Sequence, residues 1–312
     1  MKKRWFLFSV VAALVVGVFS TQSLAQGSAN GVPVQMVVTV EAHKGPEVPV
    51  VNREDVMVNE GRDRDKVIDW VPAQGEHAAL ELFILLDDSS SATLGRQLAD
   101  IREFILAQPS SAKIGVAYMR NGTAMIEQNP TSDHAQVVKA LRLSMGIVGG
   151  NASPYFSLSD LLKRWPASHS RREVLMATDG IDRYYGSGDL LDPYLDAAIE
   201  DAQRAGVIVS AIYTPSVGHF SHSYWQTYWG QLYLAKLTEE TGGESYYIGF
   251  TGSPVAFKPF LEDVANHLNH QYLLSFLAKP EKKAGLRPVK VRTEVPNAEL
   301  VAAKNVYVPA AQ

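Results

Sequence analysis

LELFILLDDSSS, residues 80–91, is the stretch on which the fold turns. Leu80 to Leu86 is apolar apart from Glu81, the pattern of a short strand covered on both faces. Two acids, Asp87 and Asp88, and the serines Ser89 to Ser91 follow at once. A strand buried on both faces belongs to a parallel sheet, whose neighbours must be joined by crossover helices. The next residues supply such a helix: Leu94, Leu98, Ile101 and Ile105 fall on one stripe, with Arg96, Asp100 and Arg102 on the other side.

The alternation continues downstream. Ile114 to Met119 reads as a strand, with Gly122 to Glu127 paired to it through an Asn121-Gly122 turn, and a helix runs from Asp133 to Leu143. The loop Gly149 to Pro154 leads to a helix over Tyr155 to Trp165, with Ser153-Pro154 suited to its start. Glu173 to Ala177 is a buried strand ending at Thr178-Asp179-Gly180. A helix from Leu190 to Arg204, a strand from Val207 to Tyr213 and a helix from Trp225 to Glu240 stopped by Gly242-Gly243 come next. A strand from Ser245 to Ile248 and a helix from Val255 to Leu268 close the series. Residues 78–270 therefore predict an α/β unit, doubly wound, with a mostly parallel central sheet and helices on both faces.

Both flanks read as β. In residues 32–76, Val34, Met36, Val38 and Val40 alternate, His43 to Pro46 breaks the strand, and Val48 to Val51 reads as another. Asp55 to Asn59 and Lys66 to Val71 flank the turn Glu60-Gly61. In residues 271–310, Tyr272 to Leu277, Pro288 to Val295 and Asn305 to Val308 are strand-like. The two flanks are expected to pair into one small β-rich domain that carries the α/β unit as an insertion.

Of 312 residues, 46% are hydrophobic and 20% charged, a globular balance with enough apolar mass for a full core. A net charge of -4 offers no long-range attraction to a polyanion, which sets nucleic acid aside as a partner. Residues 1–25 read as a secretory signal peptide: Lys2, Lys3 and Arg4, an apolar run from Phe6 to Phe19, then Ser23-Leu24-Ala25 as a small-x-small cleavage site. The mature chain has no other stretch apolar enough to cross a bilayer, so it is expected in the periplasm or outside the cell. With no cysteine, stability there falls to the core alone, and a lipid-modified N-terminal cysteine is excluded.

Ligands of an open parallel sheet bind beyond the carboxyl ends of its strands. Three polar clusters fall there: Asp87, Ser89 and Ser91 after the first strand, Ser153 in the glycine-rich loop, and Asp179 after a later strand. Carboxylates and hydroxyls on converging loops are what a hard divalent cation takes as ligands. Two carboxylates balance its charge and leave it able to accept an anionic oxygen from outside.

These residues resemble the metal-ion-dependent adhesion site (MIDAS) of von Willebrand factor A (VWA) domains, bacterial relatives included. LLDDSSS matches the DxSxS of that family at Asp87, Ser89 and Ser91; Asp179 in VLMATDG matches its later aspartate. Ser153 in GGNASPYFSL stands where the family has threonine, losing the methyl that fixes the rotamer, so Ser157 and Asn151 stay open as alternative contacts. GVIVSAIY and TGGESYY continue the resemblance, and VNREDVMVNEGRDRDKVIDW and NHLNHQYLLSFLAKP resemble the flanks of the bacterial members. The resemblance implies a bound divalent cation, Mg²⁺ in preference to Mn²⁺ or Ca²⁺. It further implies hydroxyls as direct ligands, aspartates acting largely through water, and a protein partner presenting Asp or Glu. The function implied is that of a non-enzymatic adhesion or scaffold module.

Other residues have plainer readings beside functional ones. Tyr184, Tyr185, His219, Phe220, His222, Trp225 and Trp229 follow strands that end at the same edge and form a candidate aromatic rim for a partner. Tyr224, Tyr228 and Trp225 fit helix core equally well. His219 and His222 lack a third metal ligand nearby, and His267 and His270 suit a helix end. Asp88 and Asp182 read as solvent-exposed acids. A metal-dependent hydrolase or phosphatase is the rival reading, but Ser89 stands where an aspartyl phosphatase of the haloacid dehalogenase type needs a second Asp, and no GxSxG elbow is present. A structural envelope protein with a degenerate site is the other. The leader makes its own test: amino-terminal sequencing of exported protein should begin at Gln26, and recovery of an intact Met1 terminus would mark an uncleaved anchor instead.

Overall fold

The computed structural model describes residues 31–90, 94–146, 149, 151–186, 191–215, 224–247 and 255–311. The leader at residues 1–25, Ser91, His219, Phe220, His222 and Ile248 lie outside the described residues, as do the side chains of Leu94 and Arg96.

Two sheet systems build the chain. The first strands are β1 (Val32–Ala42), β2 (Val56–Glu60) and β3 (Asp63–Pro72), and the α/β unit begins with β4 (Leu80–Asp87) and α1 (Leu94–Ala107). It continues through β5 (Ala112–Arg120), β6 (Thr123–Thr131), α2 (His134–Lys139), α3 (Pro154–Arg164), β7 (Arg171–Thr178) and α4 (Pro193–Ala205). It ends with β8 (Val207–Tyr213), α5 (Tyr224–Thr241), β9 (Ser245–Tyr246) and α6 (Lys258–Asn269). The chain then returns to β structure with β10 (Gln271–Ala278), β11 (Gly285–Pro288), β12 (Lys290–Thr293), β13 (Ala298–Ala302) and β14 (Asn305–Val308).

The central sheet has the order β6-β5-β4-β7-β8-β9, parallel except for the edge strand β6. This is the doubly wound order in which the chain reverses direction across the sheet between β4 and β7. Alternate residues of β4 serve its two faces. Phe83 and Leu85 pack with α3, α4 and α5, and Leu82, Ile84 and Leu86 pack with α1, α2 and α6. By this parity Asp87 continues the Leu85 side, and Thr178 continues the Met176 side of β7, so both reach the same face at the carboxyl edge.

The second sheet runs β12-β2-β3-β10-β1-β13, antiparallel throughout, with the ribbon β11-β14 closing over a valine-rich core that includes Val34, Val38, Val58, Phe276 and Val308. Strands from both sides of the α/β unit thus share one sheet. It meets the α/β unit at the amino ends of the parallel strands. There Arg171 donates to the carbonyl of Leu268 and to Gln271, and Gln271 donates to the buried Glu173. The opposite edge is left for the site.

Several elements differ from the sequence reading: the stretch read as one strand from Pro288 to Val295 contains the end of β11 and all of β12, and α6 begins at Lys258 and not at Val255. Residues 48–51 form no strand; Val51 anchors the segment by its burial, and its carbonyl accepts from the Trp70 indole at 2.9 Å. β13 escaped notice because its short run follows Asn297, a left-handed turn residue at φ 63°. α2 stops at Lys139 and not near Leu143, because residues 141–146 are drawn out as a strap over the site.

Gly180 and Gly230 let α5 approach the turn after β7. A Cβ at Gly180 (φ +70°) would strike the carbonyl of Gly230, and one at Gly230 would strike the carbonyl of Asp179. Gly230→Ala should therefore cost about 1–3 kcal/mol of unfolding free energy in urea titration; an unchanged midpoint would show that this contact does not set the turn.

Candidate functional site

Four aspartates converge at the carboxyl edge of β4 and β7, and each is buried: Asp87 is 7% exposed, Asp179 1%, and Asp88 and Asp182 0%. Asp88 and Asp182 are therefore not the solvated acids expected from the sequence. Ionised carboxylates out of water need charge or hydrogen bonds to hold them, and each has its own solution here.

Asp87 accepts from Ser89 twice at Oδ1, from the amide at 2.9 Å and the hydroxyl at 2.6 Å, and from the Thr178 hydroxyl at Oδ2 at 2.7 Å. Burial, and next the charge of Asp179, push the Asp87 carboxyl above its ordinary range despite these bonds. Thr178 was missed in the sequence; its signal was strand parity, which puts it beside Asp87.

Asp88 turns to the other side. Its Oδ2 accepts from Arg120 Nη2 at 2.6 Å and Nε at 2.9 Å, and its Oδ1 from Arg142 Nη1 at 2.7 Å and the Met145 amide at 3.0 Å. Burial pushes this carboxyl up, but the bonds from Arg142, Met145 and Arg120 outweigh it and hold it below the usual carboxylate range. The Ser144 hydroxyl donates to the Asp87 carbonyl at 3.0 Å, and the Gly146 amide to the Asp88 carbonyl at 2.9 Å. Arg142 lies over the buried Tyr118 ring, 3.7 Å from its centroid, and exchanges two backbone bonds with the Tyr118 hydroxyl. These contacts pull residues 141–146 out of helix.

Ser153 is the N-cap of α3, accepting from the Phe156 amide at 3.3 Å, with Pro154 next at a position whose missing N–H costs nothing. Its hydroxyl proton goes to Asp182 Oδ2 at 2.8 Å. Asp182 Oδ1 accepts from the amides of Tyr184 and Tyr185, both at 2.9 Å, so this one carboxylate joins the Ser153 loop to the tyrosine turn. Of the two alternatives to Ser153, Ser157 spends its hydroxyl on the Ser153 carbonyl at 3.2 Å, and Asn151 is exposed.

Asp179 accepts from the Ile181 amide at 3.0 Å and is held by both terminal nitrogens of Arg183. The Arg183 side chain is 10% exposed. Burial works against its charge, but Asp179 foremost, then Asp87 and Asp182, raise its pKa above the ordinary arginine value. This arginine was not singled out in the sequence, where its spacing four residues after Asp179 was the available signal.

Asp87, Ser89, Ser153, Ser157, Arg120 and Arg183 line one cleft of about 10 Å³, room for roughly one water. The donor set suits a hard divalent cation in one respect: Ser89 and Ser153 both give their protons to carboxylates, which leaves hydroxyl lone pairs for a metal. Among the described residues no group of three or more His, Cys, Asp or Glu is arranged to hold an ion, so hydroxyls would have to contribute.

The aromatic residues divide into two patches. Tyr184 and Tyr185 are 51% and 44% exposed and pack edge-on against Tyr194, with Phe156 beneath. On α5, Tyr224, Trp225 and Tyr228 point outward, Trp225 at 66% exposure, and Trp229 is half-buried against the buried Tyr233. His267 and His270 lie far off at the seam with the β domain, near Glu41 and the Asn266 carbonyl respectively.

No known family model matches the chain, and no curated protein matches it in sequence. Solved structures similar to it include an aerotolerance-related membrane protein from Bacteroides fragilis, 15% identical over 61% of this chain and 99% of that one, with a TM-score of 0.44. The vWF domain of the type V pili tip protein Mfa5 from Porphyromonas gingivalis is 11% identical over 61% and 95%, with a TM-score of 0.42. The ArnB paralog VWA2 from Sulfolobus acidocaldarius is 8% identical over 89% and 76%, with a TM-score of 0.37. The α/β unit itself has the doubly wound strand order, with one antiparallel edge strand, that the sequence reading expects.

Asp88 is the structural member of this cluster. Asp88→Ala leaves two arginines without their carboxylate and should cost on the order of 3 kcal/mol at neutral pH. Because the folded pKa is depressed, the contribution is present above about pH 4, the unfolded value, and is lost as pH falls through the folded value. Urea melts of both proteins should therefore differ at pH 7 and converge in acid; a constant difference would show that the ion pairs are not its source.

Proposed function

We propose that the chain is an exported, non-enzymatic protein-binding module of the adhesion or scaffold kind. In this reading a divalent cation, Mg²⁺ before Mn²⁺ or Ca²⁺, is held by Asp87, Ser89, Ser91, Ser153 and Asp179. Tyr184, Tyr185, Trp225 and Trp229 form the surrounding contact surface, and the candidate partner residues His219, Phe220 and His222 lie outside the described residues. The observation that carries it is the pairing of two cleft serines with buried carboxylates, Ser89 with Asp87 and Ser153 with Asp182, beside exposed aromatic side chains.

The cation would supply positive charge with an open coordination position. The chain's own groups do the rest: Asp87 and Asp179 balance the charge, the serines orient lone pairs, and Asp182 fixes the tyrosine turn relative to Ser153. Among the described residues the cleft measures about 10 Å³, a size suited to one protruding carboxylate met together with the surface around it. Tyr and Trp at such a rim bury large area for little lost rotamer freedom, which is why they anchor protein interfaces. Among the described residues, no helix is long and apolar enough to cross a membrane.

Immobilised protein should capture its partner from a cell-envelope extract in Mg²⁺ and release it in chelator. Asp87→Ala should abolish capture, and Trp225→Ala should weaken it by about 30-fold, the size of a hot-spot truncation. Retention of the same partner in chelator and by Asp87→Ala would overturn the metal dependence. Turnover of a phosphate or acyl ester that vanishes in Ser89→Ala would overturn the non-enzymatic reading.

A further inference from the structure

The cleft already contains a cation of the protein's own. Arg183 grips Asp179 through both terminal guanidinium nitrogens, and Nη1 also reaches the Ile181 carbonyl at 3.4 Å. Its backbone is tied in as well, with the Arg183 amide donating to the Ala152 carbonyl at 3.0 Å, next to Ser153. It lines the same cleft as Asp87, Ser89 and Ser153. Asp179, Asp87 and Asp182 all act on its charge. By contrast Arg120 and Arg142, the other arginines nearby, are committed to Asp88.

Asp179 therefore cannot serve a divalent ion and Arg183 at full strength together. A planar guanidinium matched to a carboxylate is a strong competitor, since its fork makes parallel bonds and it is more weakly hydrated than an ammonium. We propose that Arg183 is a resident counter-ion of the site, which a divalent cation must displace from Asp179 in order to bind. The site then has an arginine-held form and a metal-held form, and Arg183 sets the metal affinity. This rests on the metal-binding reading above and adds to it the residue that opposes the metal.

The consequence separates a competitor from an ordinary structural ion pair. If Arg183 only stabilises the turn, its loss is a loss that metal does not repair. If it stands in for the metal, its loss leaves buried acids uncompensated, and Mg²⁺ repairs the defect while binding more tightly. The test uses the full mature chain, magnesium chloride as the only ligand, calorimetry for affinity and thermal melts for stability. Arg183→Met should bind Mg²⁺ at least about 10-fold more tightly than wild type, the equivalent of one tenfold step in affinity. In chelator its Tm should fall by about 5 °C or more and recover in Mg²⁺.

If wild type takes Mg²⁺, Asp87→Ala does not, and Arg183→Met binds no more tightly than wild type, the inference is overturned and the metal reading stands. If neither wild type nor Arg183→Met takes Mg²⁺, both are overturned. Should Arg183→Met fail to fold in chelator and in Mg²⁺ alike, Arg183 is structural and the inference is overturned. Arg183→Lys gives a check that keeps the charge but loses the fork: it should bind Mg²⁺ with an affinity between those of wild type and Arg183→Met, and an affinity equal to wild type counts against the proposal.

Discussion

Burial of four carboxylates at one edge of a parallel sheet sets the terms for the rest of this half of the molecule. Asp87, Asp88, Asp179 and Asp182 sit where β4 and β7 end, each at most 7% exposed, within a domain whose interior otherwise repels charge. They are not neutralised by one common device. Asp88 is surrounded by two arginines, Asp87 by hydroxyls and an amide, Asp182 by two amides and a serine, and Asp179 by Arg183. Adjacent residues Asp87 and Asp88 thus do opposite work, Asp87 as the last residue of β4 and Asp88 in the turn that follows it.

Much of the local architecture follows from serving these groups. The strap 141–146 gives up helical hydrogen bonds and regains them at Asp87 and Asp88, through Ser144, Met145 and Gly146. The Gly180–Gly230 contact lets α5 close over the turn that presents Asp179. At the far end of the same strands, Arg171, Gln271 and Glu173 fasten the α/β unit to the β sheet. Attachment at the amino ends keeps the β sheet away from the carboxyl edge.

That surface combines a narrow polar cleft with outward-facing aromatic rings, and Asp182 links the two by accepting from Ser153 on one oxygen and from the amides of Tyr184 and Tyr185 on the other. Arg183, the next residue, faces the cleft while its neighbours Tyr184 and Tyr185 face solvent. Charge and contact surface are consecutive in the chain at this point of the proposed binding face.

By itself the sequence determined the doubly wound α/β unit, because unbroken apolar strands and striped helices admit few other packings, and it marked Asp87, Ser89, Ser153 and Asp179 as residues at strand or helix ends. It also placed Tyr184, Tyr185 and Trp225 beyond those strands. Only the tertiary structure decided what each acid faces. Asp88 and Asp182 read as surface groups until Arg120, Arg142 and Ser153, from 29 to 54 residues away, were brought against them. α2 read four residues too long, since nothing local in Arg142 or Ser144 announces a partner on another loop. Hydrophobic periodicity is a local property and can be read along the chain. Neutralisation of a buried charge depends on which residue the fold delivers: for Asp88 and Asp182 it comes from far along the chain, and for Asp179 it is local, Arg183 four residues on.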